Sequence, residues 1–566
     1  MLVSLPLKAD TSNPELTTSS VSSGTVADII LFNGHLVTVD SAFSEAQAVA
    51  IAGQKLVAVG SDNDVASFRG EHTRMIDLRG ATVLPGINDS HIHLTMWALS
   101  RNELDLRDKN IEQIRELLAA HVATVALGEV IRGVGWSEGS IGRLPTRADI
   151  DDLTPHNPVV FQEMGHALWV NSNTLVLASL DRDSKEPVGA KFERIPDSGE
   201  LTGVFHESDD LLLPYLKSVS AKQKLEAIEA GIHALNRQGI TSLTIPGVTA
   251  EDIGLYQTLA QEGKLTARIG LHVRAGRSLA DAKRAVSNYA DALKGRGTTD
   301  QLLTLRGIKL FMDGAPPGRT ALMFDDYSCC AGEKGLLLYR GDTLDNQVKE
   351  INRSIEWLHQ QGYQMGIHAD GDRSAHIAIN GLIGAMEKYP VAAETPKANP
   401  LRHYLIHGDL ITNEDIARMA RWHIGLTTQP VITAAAGDML LDLWGKKRGE
   451  RHMASGLFID GGVWTSLSTD APIVVPDWKY NIEYAVLREH GASPPRINGP
   501  AAYRLTVRQA LIAHTNTPAY QDFQEQEKGS IEVGKLADLV VIDRDILTID
   551  PHEISDLPPC QDRCRA

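Results

Sequence analysis

Hydrophobic and polar positions follow two different patterns along this chain. Between residues 27 and 84, short apolar runs such as 48–51 and 56–59 are broken by Gly and Asp, which is typical of short β-strands. After Pro85-Gly86 the pattern changes, and helical repeats alternate with short apolar runs over about 400 residues. The tail returns to β-type alternation at 531–543. The two ends of the chain are therefore predicted to form one small β domain around a larger α/β unit.

The middle of the chain predicts strands that alternate with helices. The helical repeats lie at 111–126, 221–237, 346–361 and 413–422. The strand-like runs that follow Pro85-Gly86 lie at 240–245, 268–273, 307–311, 364–368, 404–407, 423–428 and 463–469. Such alternation is typical of a parallel α/β fold, most simply a (β/α)8 barrel.

Two further strand-like runs, 130–134 and 159–162, give more candidates than the eight strands of such a barrel. We therefore expect an insertion at about 100–230, after the first barrel strand. The predicted division is a flexible tail at 1–26, a composite β domain at 27–84 and 500–556, and a barrel at 85–499.

Composition narrows the class of protein. The chain has 566 residues, 43% of them hydrophobic and 22% charged, as in ordinary globular proteins. Its net charge of −17 argues against nucleic acids and anionic membranes as partners, because both require basic patches. No apolar run is long enough to span a bilayer, and no secretory signal is evident, so a cytoplasmic location is expected. The four cysteines lack CxxC spacing and are predicted to be free thiols.

The first candidate for chemistry is the pair His91 and His93. Two histidines at i and i+2 on a strand point to the same face and can bind one metal ion. With 20 histidines, an HxH triplet should occur by chance about 0.7 times, so the pair alone is a weak signal. Its position, at the carboxyl end of a predicted barrel strand, corresponds to the active-site face.

Later strands end in residues of the same kind. His368 and His407 each close an apolar run, and Asp470 follows another. A histidine at a strand end can be a structural hydrogen-bonding residue, and an Asp after a strand can cap a helix. Four strands that each end in a ligand-type residue favour a site for zinc or a similar divalent ion.

Lys309 interrupts the apolar run 307–311. It either points outward, with its amine in water, or lies buried with a lowered pKa. A buried amine can add CO2, with loss of one proton, to form a carbamate that bridges two metals. Two metals about 3.5–4 Å apart can share a hydroxide. Asp470 would then take the proton of the attacking water and pass it to the leaving group. The chemistry indicated is hydrolysis of a carbon–heteroatom bond.

These features together resemble the amidohydrolase superfamily. The resemblance rests on residues 85–93, His368, His407, Asp470 and the tail 529–540, in the order of that family's strands 1, 5, 6 and 8. Further motifs resemble the family-3 branch, which includes N-substituted formamide deformylases; they lie at 145–147, 165–172, 309–315, 319–321, 368–373, 429–430 and 470–472. The chain departs from the family pattern at Asn88, where Ile or Phe is usual, and at Ile406, where Glu is usual.

The resemblance implies a (β/α)8 barrel beside a small β-sandwich built from both termini. It implies a centre of two metal ions, zinc or else Mn, Fe or Co. The implied ligands are His91, His93, carbamylated Lys309, His368, His407 and Asp470, with Asp470 also the general acid and base.

Other polar residues are candidates for substrate contacts. His166, Trp169 and Asn171 lie in the insertion and could cap the barrel mouth, or belong to a packed loop with a buried Trp. Arg319 and Arg373 follow strand ends and could hold a carboxylate or phosphate, or tie loops together.

The predicted function is hydrolysis of an amide or N-formyl C–N bond in a small organic substrate. The same centre could act on an ester, a carbamate or an organophosphate, because the pocket selects the bond. The alternative is a binding or regulatory protein that keeps the fold without the chemistry. A homodimer is compatible with this class of barrel.

Overall fold

The computed structural model describes residues 25–558, except for 164–166, 188–189, 209–218, 288, 291–292, 294–301, 392–398, 491–495 and 498. The described chain contains an eight-stranded sheet, a six-stranded sheet, two four-stranded sheets and a two-stranded hairpin. The eight-stranded sheet carries the site, and the other sheets surround it.

The eight-stranded sheet is a nearly closed barrel. Its strands pair in parallel with their neighbours in chain order. Between the last strand and the first, the amide of Asp470 donates to the carbonyl of His91 at 2.9 Å, and that of His93 donates to Ala471 at 2.9 Å. The predicted (β/α)8 barrel is thus confirmed. Barrel strands one to eight are Ile87–Asp89, Ile240–Val248, Arg268–Arg274, Leu303–Phe311, Gln364–Ala369, Tyr404–His407, Gly425–Thr428 and Thr465–Leu467.

Helices cover the outside of the barrel. They begin at polar caps: the side chains of Ser220, Thr343 and Thr412 each accept a hydrogen bond from the amide three residues on. The predicted helix 413–422 matches its observed bounds. Among the described residues, no helix is both long and apolar enough to cross a bilayer. The helices around the barrel are Leu94–Ser100, Ala221–Asn236, Ala250–Gln261, Leu279–Ser287, Leu344–Gln360, Asp372–Lys388, Asn413–Trp422, Pro430–Gly449, Ser455–Asp460, Trp478–Leu487, Val507–His514 and Asn516–Gln521.

A separate lobe is inserted between barrel strands one and two. The two extra strands predicted at 130–134 and 159–162 lie here, which explains the excess over eight. Around the sheet lie the helices Ile111–Val122, Glu138–Ile141 and Ser172–Ala178. In order across the sheet, its strands are Lys191–Arg194, Leu201–His206, Ala167–Val170, Val159–Glu163, Ile131–Val134 and Leu104–Asp105.

The small domain is a pair of four-stranded sheets built from both ends of the chain. The C-terminal strand Leu539–Ile542 pairs antiparallel with Thr82–Pro85, which leads directly into the barrel. The helices Val507–His514 and Asn516–Gln521 contact barrel strands one and eight. The domain boundaries proposed above stay predictions. The strands are Lys55–Gly60, Ala48–Ala52, Ile29–Phe32 and Arg74–Asp77 in one sheet, and Leu539–Ile542, Thr82–Pro85, His35–Val37 and Glu45–Ala46 in the other.

The prediction of free thiols is wrong for two of the four cysteines. Cys329 and Cys330 are joined by a disulfide, with their Cα atoms 3.8 Å apart as neighbours in the chain. Spacing rules for cysteines do not detect a pair of adjacent residues. Cys560 and Cys564 lie outside the described residues.

Candidate metal centre

A first group of ligand-type residues lies where strands one and eight end. The Nε2 atoms of His91 and His93 lie 3.1 and 3.3 Å from Oδ1 of Asp470. The two imidazole centroids are 5.2 Å apart. Their ligand atoms lie within 4.8 Å of one another, close enough for one metal ion. We call His91, His93 and Asp470 the first group.

The backbone fixes the first group. Asp470 has a positive φ of 59°, a conformation that turns the chain sharply at the end of strand eight. The preceding Thr469 donates its amide to Asp89 Oδ1 at 3.1 Å and its hydroxyl to Oδ2 at 2.5 Å. Asp89 belongs to strand one, and burial raises its pKa to about 7. Through these bonds Asp89 holds the segment that carries Asp470 against the segment that carries His91 and His93.

A second group lies where strands five and six end. His368, Asp370 and His407 also have ligand atoms within 4.8 Å of one another. His368 Nε2 is 3.7 Å from Asp370 Oδ1, and the rings of His368 and His407 are 4.6 Å apart. The ring of His407 also lies 5.2 Å from that of His91 in the first group. The two groups therefore form one continuous cluster.

The orientation of His407 is set by a residue of strand seven's end. Its Nδ1 lies 2.9 Å from Oε1 of Gln429, whose amide nitrogen donates to the hydroxyl of Ser468 at 2.8 Å. An amide oxygen can only accept, so Nδ1 of His407 carries the proton and Nε2 is left as the ligand atom.

Lys309 lies inside the barrel, on strand four. The residue is 1% exposed, and its Nζ has no hydrogen-bond partner among the described residues. Nζ lies 4.7 Å from the ring centroid of Phe311. Burial lowers the pKa of Lys309 to about 7, although the carboxylates of Asp470 and Asp370 oppose that change. Lys309 therefore points inward and is acted on by a carboxylate of each group.

The two carboxylates of the cluster have opposite electrostatic environments. Burial would raise the pKa of Asp470, but contacts with His91, His93 and His407 outweigh it and hold that pKa well below its ordinary value. Burial raises the pKa of Asp370 well above its ordinary value, and the neighbouring Asp409 and Asp313 add to the effect. Burial also lowers the pKa of His91 to about 3, so its imidazole is neutral, as a metal ligand must be.

The residues present fit a divalent metal centre. Zn–N and Zn–O bonds of about 2.0–2.2 Å in a tetrahedron separate neighbouring ligand atoms by about 3.3–3.6 Å. The separations within both groups, 3.1, 3.3 and 3.7 Å, lie close to that range. Several buried polar atoms also lack a hydrogen bond of acceptable geometry to any described residue. They are both ring nitrogens of His91, Lys309 Nζ, Asp370 Oδ1 and Asp470 Oδ1.

The sequence analysis missed Asp370 as a member of this cluster. It stands two residues after His368, the same spacing that joins His91 to His93. That repeated spacing at a second strand end was a signal that could have identified it. The buried Asp313 was missed as well: its carboxylate accepts from the amides of Asp370 at 3.2 Å and Gly371 at 3.0 Å.

The residues predicted to contact substrate from the insertion have structural contacts. Trp169 is fully buried in the lobe, and its Nε1 donates to the carbonyl of Thr146 at 3.0 Å. Asn171 caps the helix Ser172–Ala178 and donates to the carbonyl of Asn157 at 2.8 Å. These contacts account for both side chains without a substrate. His166 lies outside the described residues.

The two predicted arginines follow the ends of barrel strands four and five, Arg319 on a loop and Arg373 in a helix. Arg319 follows strand four and donates from Nε to Glu333 at 2.8 Å, with Glu193 of the lobe 3.7 Å away. It therefore ties the loop to the lobe. Arg373 lies at the start of the helix Asp372–Lys388, and its guanidinium is 6.0 Å from the ring centroid of Phe324.

Comparisons with known proteins agree with the barrel fold. A family model described as the amidohydrolase family matches residues 74–558. Protein LONG AFTER FAR-RED 3 of Arabidopsis thaliana is 28% identical over 559 residues, covering 95% of this chain and 91% of that protein. N-substituted formamide deformylase of Arthrobacter pascens is 27% identical over 553 residues, covering 94% of this chain and 96% of that enzyme.

A solved structure shares the fold over nearly the same length. The crystal structure of an uncharacterized metal-dependent hydrolase from Pyrococcus horikoshii OT3 aligns with a TM-score of 0.70 at 22% identity. The alignment covers 93% of this chain and 99% of that one.

Proposed function

The chain belongs to the amidohydrolase family and is a metal-dependent hydrolase, and from that premise we propose that it cleaves a C–N bond outside a peptide. The bond belongs to an amide or N-formyl group of a small organic molecule. The observation that carries the proposal is the cluster of two ligand groups, together with the buried Lys309 on strand four. The similarity to an N-substituted formamide deformylase supports the choice of bond.

The centre we propose holds two zinc ions. The first group provides His91, His93 and Asp470, and the second provides His368 and His407. Such ions lower the pKa of a bound water and polarise a carbonyl oxygen. Lys309, as a carbamate, would join the two groups, because its amine is buried and the carboxylates of Asp470 and Asp370 both act on it.

Asp470 is the residue that moves protons in this proposal. Its Oδ1 faces both His91 and His93, and its pKa is held low, so the carboxylate is ionised and can accept a proton from the attacking water. It then returns that proton to the nitrogen of the departing amine, because an amide nitrogen is a poor leaving group until it is protonated. His407, fixed by Gln429, does not titrate in this scheme.

A substrate screen on zinc-loaded protein tests the proposal. N-substituted formamides and their N-acetyl analogues are compared with a carboxylic ester, a carbamate and a phosphotriester. The expected result is a kcat/KM for a formamide or acetamide that exceeds those for the other three classes. Faster cleavage of an ester, carbamate or phosphotriester would contradict the choice of bond.

The role of Asp470 is tested with the Asp470→Asn variant. Loss of general acid and base catalysis is expected to lower kcat at least about 100-fold. Asp477→Asn is the matched control, because Asp477 lies on the same loop and caps the helix Trp478–Leu487, a contact that Asn preserves. Its other oxygen lies 3.7 Å from Lys479 Nζ, outside the cluster. Unchanged kcat in Asp470→Asn would contradict the assignment.

A further inference from the structure

The second group contains a carboxylate that the proposed ligand set leaves unused. The side chain of Asp370 is 7% exposed, and its Oδ1 has no hydrogen-bond partner among the described residues. That oxygen lies 3.7 Å from Nε2 of His368 and belongs with His407 to one set of ligand atoms. A buried carboxylate oxygen without a donor is costly, and a cation is the usual compensation.

The backbone at Asp370 is held in place by Asp313. The carboxylate of Asp313 accepts from the amides of Asp370 and Gly371, from the amide of Leu322 at 2.8 Å and from the hydroxyl of Ser374 at 2.6 Å. Gly371 permits this close packing, because a Cβ there would lie 1.9 Å from the carbonyl oxygen of Leu322. Oδ2 of Asp313 accepts three of these bonds and Oδ1 accepts one, from the amide of Asp370, so Asp313 holds the backbone of Asp370 in place. Oδ1 of Asp313 also lies 3.8 Å from His368 Nε2.

Most of the charged groups around Asp370 are negative. Asp409, Asp313 and Asp470 are its negative neighbours, and Lys309 is the positive one. One carboxylate oxygen of Asp409, Oδ2, already has a partner, because it lies 3.2 Å from Nε2 of the buried His452. The local balance is therefore negative, and a divalent ion beside Asp370 would offset it.

We propose that Asp370 is the third protein ligand of the second metal ion, together with His368 and His407. This assignment rests on the proposed function and adds a residue to its centre. The His368-x-Asp370 pair would then act at strand five as His91-x-His93 does at strand one. Each metal would have two imidazoles and one carboxylate from side chains alone, and a bridge through Lys309 would come in addition. Such a donor set suits Zn, Fe, Mn or Co.

The test is metal binding by the Asp370→Asn variant of the full chain. Protein dialysed against zinc is analysed for zinc per chain by elemental mass spectrometry, and zinc release to a chromophoric chelator is followed in time. Wild type is expected to hold two ions. Asp370→Asn is expected to hold one, or to release one at least about tenfold faster. Without metal, its thermal midpoint should not fall, because Oδ1 of Asp370 has no hydrogen bond to a described residue that the substitution could remove.

Asp372→Asn is the matched control. Asp372 lies two residues away and accepts the amide of Phe324 at 2.9 Å, a bond that Asn can keep. It is expected to bind and release zinc as wild type does. Equal zinc content and equal release rates in Asp370→Asn and wild type would overturn the assignment and leave the proposed function intact. A wild type that binds no zinc would overturn both.

If wild type holds a single ion, a His91→Asn variant decides between the groups. Loss of that ion in Asp370→Asn but not in His91→Asn supports the assignment. Loss in His91→Asn with retention in Asp370→Asn overturns it.

Discussion

The two ends of the barrel interior both bury charged groups, but the partners of those groups differ. At the amino-terminal end, Asp522 accepts from Asn88 at 2.9 Å, from Thr244 at 3.1 Å and from Lys528 at 2.9 Å, and lies 2.6 Å from Arg306. At the carboxyl end, buried atoms of the two ligand groups lack such partners among the described residues. The charged groups at both ends are buried, so the difference lies in compensation and not in burial.

This difference separates stability from function within one barrel. Arg306 and Lys528 outweigh the burial of Asp522 and hold its pKa below the ordinary value. At the other end burial raises the pKa of Asp370, and its carboxylate neighbours add to the effect. A buried charge that the protein compensates contributes to folding, whereas one that it leaves uncompensated is available for a ligand.

The largest expected effect comes from breaking the compensated end. Asp522→Asn leaves Arg306 and Lys528 buried without their carboxylate and is expected to cost about 3–5 kcal/mol in the free energy of unfolding. Denaturant titration measures this cost, and Asp543→Asn, on an exposed site, is the control. Zinc content of the folded variant should remain that of wild type. A midpoint equal to that of wild type would show that this network does not stabilise the barrel.

The stabilisation that Asp522 provides is expected to depend on pH. The folded pKa of Asp522 is depressed from 3.8, so its contribution is present above about pH 4 and is lost as the pH falls toward the folded value. The stability difference between wild type and Asp522→Asn is therefore expected to narrow below about pH 4. A constant difference from pH 7 to pH 3 would contradict this origin.

A smaller effect is expected at the uncompensated end from Gln429, which positions His407. Gln429→Ala removes the acceptor of His407 Nδ1–H and is expected to weaken zinc binding about 10–100-fold. Gln429→Glu should restore most of the affinity, because its carboxylate accepts the same hydrogen bond. Gln261→Ala, on an exposed helix end, is the control. Failure of Glu to rescue would mean that Gln429 acts only by packing.

The sequence was sufficient to predict the barrel and most of the cluster, because both depend on local pattern. Alternating helices and apolar runs predict parallel strands, and ligand-type residues at strand ends must then meet on one face. The extra strands at 130–134 and 159–162 were recognised, but their sheet could not be placed, because periodicity does not show which strands pair.

The compensated end could not be predicted, because its contacts are remote in sequence. Asn88 and Asp522 are 434 residues apart, and neither stands in a pattern that indicates the other. The structure explains why Asn stands at position 88, where the family pattern has an apolar residue: its amide donates to a buried carboxylate. Asp370 was missed for a different reason, since its spacing from His368 was visible but carboxylates after strands also cap helices.

We propose above that the two ligand groups at the carboxyl end of the barrel bind metal ions. A count of the metal ions bound per chain tests this. Wild-type protein purified without chelators, supplied with zinc and bicarbonate and then dialysed, is analysed for zinc per chain by elemental mass spectrometry. We expect about two zinc ions per chain, one for each ligand group. No bound metal under these conditions would contradict the proposal.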